Sequence, residues 1–168
     1  MTKQSAQAPR AVVMIRPRHF MPNPATAVDN AFQVAASMDA RTDLSTRAYA
    51  EVSAAASRLT DAGVDVHLFE DETADKPDSV FPNNWFSTHA GGHVAVYPMY
   101  SESRRKERRS DVIEFLKRVY RVQDVIDYSG LEPDGIFLEG TGAMVLDHIE
   151  HVAYAVKSNR TSPIALER

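Results

Sequence analysis

The 168-residue chain contains no cysteine. This absence excludes disulfides, thiolate-held zinc and a thiol nucleophile within these residues. No apolar run approaches the roughly 20 residues of a membrane-spanning helix, and residues 1–9 lack the apolar core of a secretory signal. The expectation is a cytoplasmic protein with no membrane partner. Positive charge is not in excess either: 19 Lys and Arg face 23 Asp and Glu, for a net charge of -4. Nucleic-acid binding needs a clustered positive surface, so no nucleic-acid partner is expected. With 43% apolar and 25% charged residues the composition is that of an ordinary globular domain with a real core. Residues 1–10 read as a flexible polar leader and 11–168 as one domain.

Local patterns alternate between strand and helix. Ala11 to Ile15 is a short β-branched run that stops at Arg16-Pro17, a first strand whose end is a site edge. Thr46 to Ala62 repeats apolar residues at helical spacing and finishes at Gly63. Val64 to Phe69 alternates as a strand with one wet face. Asn84–His89 and His93–Tyr97 flank Ala90-Gly91-Gly92, a hairpin whose glycines can take positive φ. Glu102 to Tyr120 places Val112, Phe115, Leu116 and Val119 on one helical face. Val122 to Tyr128 predicts a strand, as do Gly135–Leu138, Ala143–Asp147 and Val152–Val156; Ser162 to Arg168 starts a helix that the end of the sequence interrupts. The order implies a repeat of two strands, a helix and a strand, begun again at Gly135, with no cap after Val156.

Carboxylates at the edges of apolar runs are the candidate functional residues, because burying them requires a cationic partner. Asp78 lies in Pro77-Asp78-Ser79-Val80-Phe81-Pro82-Asn83-Asn84. A turn or cap role is open to it, and so is accepting hydrogen bonds from a planar group such as guanidinium. Glu139 stands between Ile136-Phe137-Leu138 and Gly140-Thr141-Gly142. It either pairs with a structural arginine or serves acid–base chemistry. Gly-Thr-Gly is no phosphate loop, since no lysine or helix start follows in place. The run Arg104-Arg105-Lys106-Glu107-Arg108-Arg109 is interleaved with acids and reads first as a solvated helix face, from which an arginine can bind a carboxylate. Arg160 can do the same.

The histidine pairs His89/His93 and His148/His151 lack a third ligand at fixed spacing, so they read as solvent-facing turn residues and no metal or cofactor is expected. The segment Asn23-Pro24-Ala25-Thr26-Ala27 with Asn30 and Gln33 is polar and specific in character without a task legible in the residues.

Met14-Ile15-Arg16-Pro17 with Phe20, the stretch Pro77 to Trp85, Tyr97-Pro98-Met99, Arg104 to Glu107, Leu138 to Gly142 and Ser158-Asn159-Arg160-Thr161 together resemble the guanidino-group-modifying superfamily. The chain looks closest to the amidinotransferase-like citrulline hydrolases, with dimethylarginine dimethylaminohydrolase and arginine deiminase as cousins. The resemblance implies an α/β fold, a partial pseudo-fivefold α/β propeller (pentein) of ββαβ units. It implies that Asp78 binds the guanidinium or ureido end of the substrate, that Arg105 or Arg104 and Arg160 hold its carboxylate, and that Glu139 is the catalytic acidic residue. Asn83 and Asn84 stand where some cousins carry acids, which points to a neutral ureido head such as that of citrulline.

In that family a cysteine thiolate attacks the central carbon and a histidine is acid and base. Both come from later in the fold, so the chain is expected to be about its first half, inactive alone. Activity would need a complementing C-terminal chain. The alternatives are a module that binds an amino acid or a protein without catalysis, an inactive remnant, and a homo-oligomer that covers the exposed strand edges.

Overall fold

The structure, a computed structural model, describes residues 7–27, 33 and 41–167. Asn30 and residues 1–6 of the leader lie outside the described residues. The chain is mixed α/β and divides into two compact units, Arg10–Pro82 and one beginning at Asn83 that also takes in residues 7–9.

The first unit pairs two parallel strands across a helix. β1 (Ala11–Pro17) and β2 (Asp65–Asp71) run in register from Ala11↔Asp65 to Pro17↔Asp71. Parallel neighbours need a long crossover, and α1 (Arg41–Asp61) lies within it. Arg16 at the end of β1 bonds Glu70 of β2 and, at 2.9 Å, the Ser53 hydroxyl of α1. The guanidinium groups of Arg16 and Arg18 lie 4.5 and 4.4 Å from the centre of the Tyr49 ring. Cation–π contacts at such distances fix one face of the helix to the strand end.

The second unit contains a complete ββαβ sequence. β3 (Phe86–His89) and β4 (His93–Val96) form an antiparallel hairpin, and β5 (Asp124–Asp127) adds parallel to β4. Gly91 and Gly92 turn the hairpin with φ of 89° and 87°, the left-handed backbone expected of them. Between β4 and β5 stand two helices, α2 (Glu102–Arg105) and α3 (Ser110–Val119). The expected single helix over Glu102–Tyr120 is thus broken at residues 106–109. Val112 and Leu116 are buried on α3, one turn apart, whereas Val119 is 49% exposed. Phe86, Val94 and Val96 are buried on one face of the sheet and join the same core.

A one-turn helix α4 (Gly140–Ala143) leads into a second hairpin, β6 (Met144–Asp147) with β7 (Val152–Ala155), and a short helix α5 (Pro163–Leu166) comes after it. The strand expected at Gly135–Leu138 does not form. A 3₁₀ turn over Ser129–Asp134 precedes it, and Leu138 makes only an isolated bridge to Thr161. The side chain of Gln7 bonds the Leu146 carbonyl and the His148 amide, both at 2.8 Å. Among the described residues no helix is long and apolar enough to cross a membrane.

Candidate functional site

In the second unit Glu139 ends the Ile136–Leu138 segment and is 1% exposed. Its amide donates to the Arg160 carbonyl at 3.1 Å, which ties the residue to the Ser158–Thr161 turn. Its Oε1 accepts from the Tyr100 amide at 3.3 Å, and its Oε2 lies 3.7 Å from Nη1 of both Arg104 and Arg160. Two guanidinium groups thus converge on one buried carboxylate oxygen, the compensation that burial of a carboxylate requires.

Arg104 is 2% exposed and also grips Glu107, with Nη2 to Oε2 at 2.9 Å. Glu107 is itself 2% exposed. The expectation of a solvated helix face is therefore overturned for both. The chain leaves α2 immediately after Arg105, and residues 104 and 107, three apart, face the interior together. Arg105 and Arg160 keep part of their side chains accessible, at 27% and 20%. Arg105 Nε donates to the Met99 carbonyl at 3.0 Å.

Glu132, which the sequence does not single out, joins this network. Its Oε1 accepts from the Met99 amide at 2.7 Å and from Arg108 Nη1 at 2.5 Å, while Arg105 Nε lies 3.4 Å from Oε2. The pattern offered no signal for it beyond an acidic residue before Pro133.

The turn after Glu139 rests on the asparagine pair. α4 (Gly140–Ala143) carries Thr141, whose hydroxyl accepts from Asn83 Nδ2 at 2.8 Å, and the same amide group donates to Asn84 Oδ1 at 3.0 Å. Asn84 is 8% exposed, beside Gly142. The second unit thus brings Asn83 and Asn84 to the turn that follows Glu139, and Arg104 and Arg160 to its carboxylate.

Asp78 belongs to the first unit. Its Oδ2 accepts from Asn23 Nδ2 at 2.8 Å, and Asn23 is 2% exposed. Asn23 is fixed in turn: its Oδ1 accepts from the Ala25 amide at 3.0 Å, and its carbonyl accepts from Gln33 Nε2 at 2.8 Å. Thr26 closes the knot on Gln33 Oε1 at 3.1 Å. The polar segment around Asn23 therefore has a structural task, which is to orient the Asp78 carboxylate.

The expected solvent-facing histidines divide. His93 and His151 are exposed, but His89 is half buried and its Nε2 lies 2.7 Å from the Ser87 hydroxyl. Among the described residues no group of three His, Asp or Glu side chains is placed to hold a metal ion.

A family described as N,N dimethylarginine dimethylhydrolase, eukaryotic, matches residues 16–168. Comparison with curated proteins gives no significant match. Among solved structures, dimethylarginine dimethylaminohydrolase as an adduct with S-methyl-L-thiocitrulline is similar at 20% identity and a TM-score of 0.60, over 92% of this chain and 54% of that one. The substrate-bound N-terminal domain of ArgZ, an arginine dihydrolase from the ornithine-ammonia cycle in cyanobacteria, is similar at 18% identity and a TM-score of 0.63, over 92% and 51%. The Pseudomonas aeruginosa dimethylarginine dimethylaminohydrolase complexed with citrulline is similar at 19% identity and a TM-score of 0.59, over 90% and 52%. The likeness at these identities is one of fold, and the chain spans about half the length of those structures. With 153 consecutive residues matched, the chain belongs to the N,N-dimethylarginine dimethylhydrolase family.

Proposed function

We propose that this chain is the substrate-binding portion of a hydrolase that cleaves a C–N bond of a guanidino or ureido amino acid, citrulline-like or arginine-like. The observation that carries the reading is the buried Glu139 carboxylate with Arg104 and Arg160 each 3.7 Å from its Oε2. Solved structures of similar fold with citrulline or substrate bound support it.

Glu139 is the catalytic carboxylate of this reading. Arg104 is occupied by Glu107 and positions Glu139, so the more accessible Arg160 and Arg105 are the groups for a substrate carboxylate, which guanidinium binds in a fork. Asp78, pre-oriented by Asn23, pairs with guanidinium or ureido nitrogens. The side-chain amides of Asn83 and Asn84 carry no charge, which favours a neutral ureido head over a cation. A thiolate nucleophile and its histidine partner come from polypeptide outside these residues, because the sequence has no cysteine.

The partner is a complementing polypeptide that continues a propeller of ββαβ units. β4 carries β5 on its second edge, whereas among the described residues β7 has no strand on its own. Val145, Tyr154 and Val156 around this hairpin are 65%, 60% and 78% exposed. A second copy of the chain covering the same surface is the competing arrangement, and a non-catalytic binding module is the competing function.

Calorimetric titration with citrulline and with arginine tests the reading, followed by an assay for released ammonia or amine after addition of the cysteine-bearing polypeptide. Binding that falls at least ten-fold in Asp78→Ala and Arg160→Ala, with turnover on complementation, is the expected result. Binding without turnover leaves the binding module. A protein that melts cooperatively yet binds neither compound overturns both.

A further inference from the structure

The second unit holds a cleft that the site above does not use. Residues alternate across a strand, so Ser87, His89, His93, Ala95, Asp124 and Ile126 share the sheet face opposite Phe86, Val94 and Val96. His89, His93, Ala95 and Ile126 of this face line an open cavity of about 400 Å³, together with Tyr97, Met144 and Leu146 of β6 and Ala165 of α5.

Most of the lining is apolar, but a hydrogen-bonded chain runs along this face. The Ser87 hydroxyl lies 2.6 Å from the Tyr97 hydroxyl and 2.7 Å from His89 Nε2. Burial pushes the Tyr97 phenol up and the His89 imidazole down, the latter helped by His148 and His93. Tyr97 is then a neutral phenol and His89 a neutral base near pH 7. Each of the three neutral groups can donate or accept, so the chain runs from Tyr97 through Ser87 to His89 or in reverse, according to the His89 tautomer. Either way the two ends of the chain, the Tyr97 oxygen and His89 Nδ1, offer a ligand one donor and one acceptor. The other polar groups of this face engage each other, His93 Nδ1 lying 2.5 Å from Asp124 Oδ1.

We propose that this cleft binds a small uncharged ring compound bearing one hydroxyl or carbonyl group, with the ring between Ala95 and Leu146 and the polar group on the Tyr97–Ser87–His89 chain. Size argues for a small molecule over a peptide. Two turns of helix, roughly 11 Å across and 11 Å long, fill on the order of 1,000 Å³, more than twice the cavity. Cavities of about 300–1,000 Å³ with apolar walls and a few convergent polar groups are the usual form of small-molecule sites.

The probe for the test is 2-naphthol, titrated calorimetrically into the 168-residue protein, with naphthalene as the control lacking a hydroxyl. Expected are one-to-one saturable binding, at least ten-fold loss in Ala95→Trp and in Leu146→Trp, and several-fold loss in Tyr97→Phe. Thermal melts of the variants separate a filled cleft from an unfolded protein. Nuclear Overhauser contacts from the naphthol ring to the Ala95 and Leu146 methyl groups, read on the unsubstituted protein, are expected independently of any variant. Absence of saturable binding, of those contacts, or of any effect from Tyr97→Phe overturns the proposal.

Discussion

The carbonyl oxygen of Asn83 occupies the space in which Gly140 would carry a side chain. A Cβ at residue 140 would also meet two carbons of the Tyr97 ring at 3.0 Å. The residue that follows Glu139 is therefore glycine for lack of room, and the close approach holds the Asn83–Asn84 pair against the turn.

Gly140→Ala is expected to lower stability by about 1–3 kcal/mol, the usual cost of overpacking a close contact. Thermal unfolding reads this as a drop of several degrees in Tm. An unchanged melt would mean that the Asn83 carbonyl moves aside without cost.

Arg104 and Glu107 form an ion pair with both side chains nearly inaccessible, at 3% and 0% exposure. Removing one partner of such a pair costs about 3–5 kcal/mol, because the other charge stays buried, whereas joint replacement by apolar residues is far milder. Glu107→Ala should therefore destabilise more than the double variant Arg104→Met, Glu107→Leu. Urea unfolding of both decides it. The double variant should still lose ligand binding, because Glu139 loses one of its two arginines.

Features set by local pattern were legible in the sequence. The hairpin around Gly91 and Gly92, the crossover helix before Gly63 and the α3 face bearing Val112 and Leu116 follow from turn chemistry and periodicity, which a single sequence displays. Glu107 was not legible, because a mixed-sign run looks like a solvated helix face until the chain breaks after Arg105 and turns two of its members inward. Nor was Glu132, whose partner Arg108 is 24 residues away. The Gly135–Leu138 run has strand composition, yet its backbone bonds are scattered, Leu138 N to the Pro98 carbonyl and Ser162 N to the Phe137 carbonyl, and its bridge to Thr161 stays isolated. Strand composition without a continuous ladder does not make a strand. Asn23 and Asp78, 55 residues apart, were each conspicuous, but their bond was not.

His89 sets an acid limit on stability. Its folded-state pKa is lowered by burial and by the nearby His148 and His93. In the unfolded chain an ordinary histidine titrates near about 6.5. As pH falls through that value the unfolded state takes up the proton first, so stability is lost progressively toward the lower folded pKa and is unaffected above the unfolded one. Between pH 7.5 and 5.5 the Tm should fall more in the unsubstituted protein than in His89→Gln, which cannot charge. Equal slopes would assign the acid sensitivity to other groups.

Asn23 orients Asp78 through a hydrogen bond at 2.8 Å, and substitutions there should grade ligand binding without touching the ligand. Asn23→Ala removes a donor worth about 0.5–1.5 kcal/mol, so citrulline binding should weaken about two- to twelve-fold. Asn23→Asp places a second carboxylate against Asp78, and like charges so close favour a shared proton, which weakens Asp78 as an acceptor for guanidinium or ureido nitrogens. The expected order of affinity is Asn23, then Ala, then Asp, with the gap between the two variants narrowing at acid pH as the introduced carboxyl protonates. Calorimetric titration at pH 7.5 and 5.5 reads both the order and the narrowing. A structural role alone would lower the melting temperature of both variants without that pH-dependent gap, and an Asn23→Ala protein that binds as the original does would remove Asn23 from the positioning of Asp78.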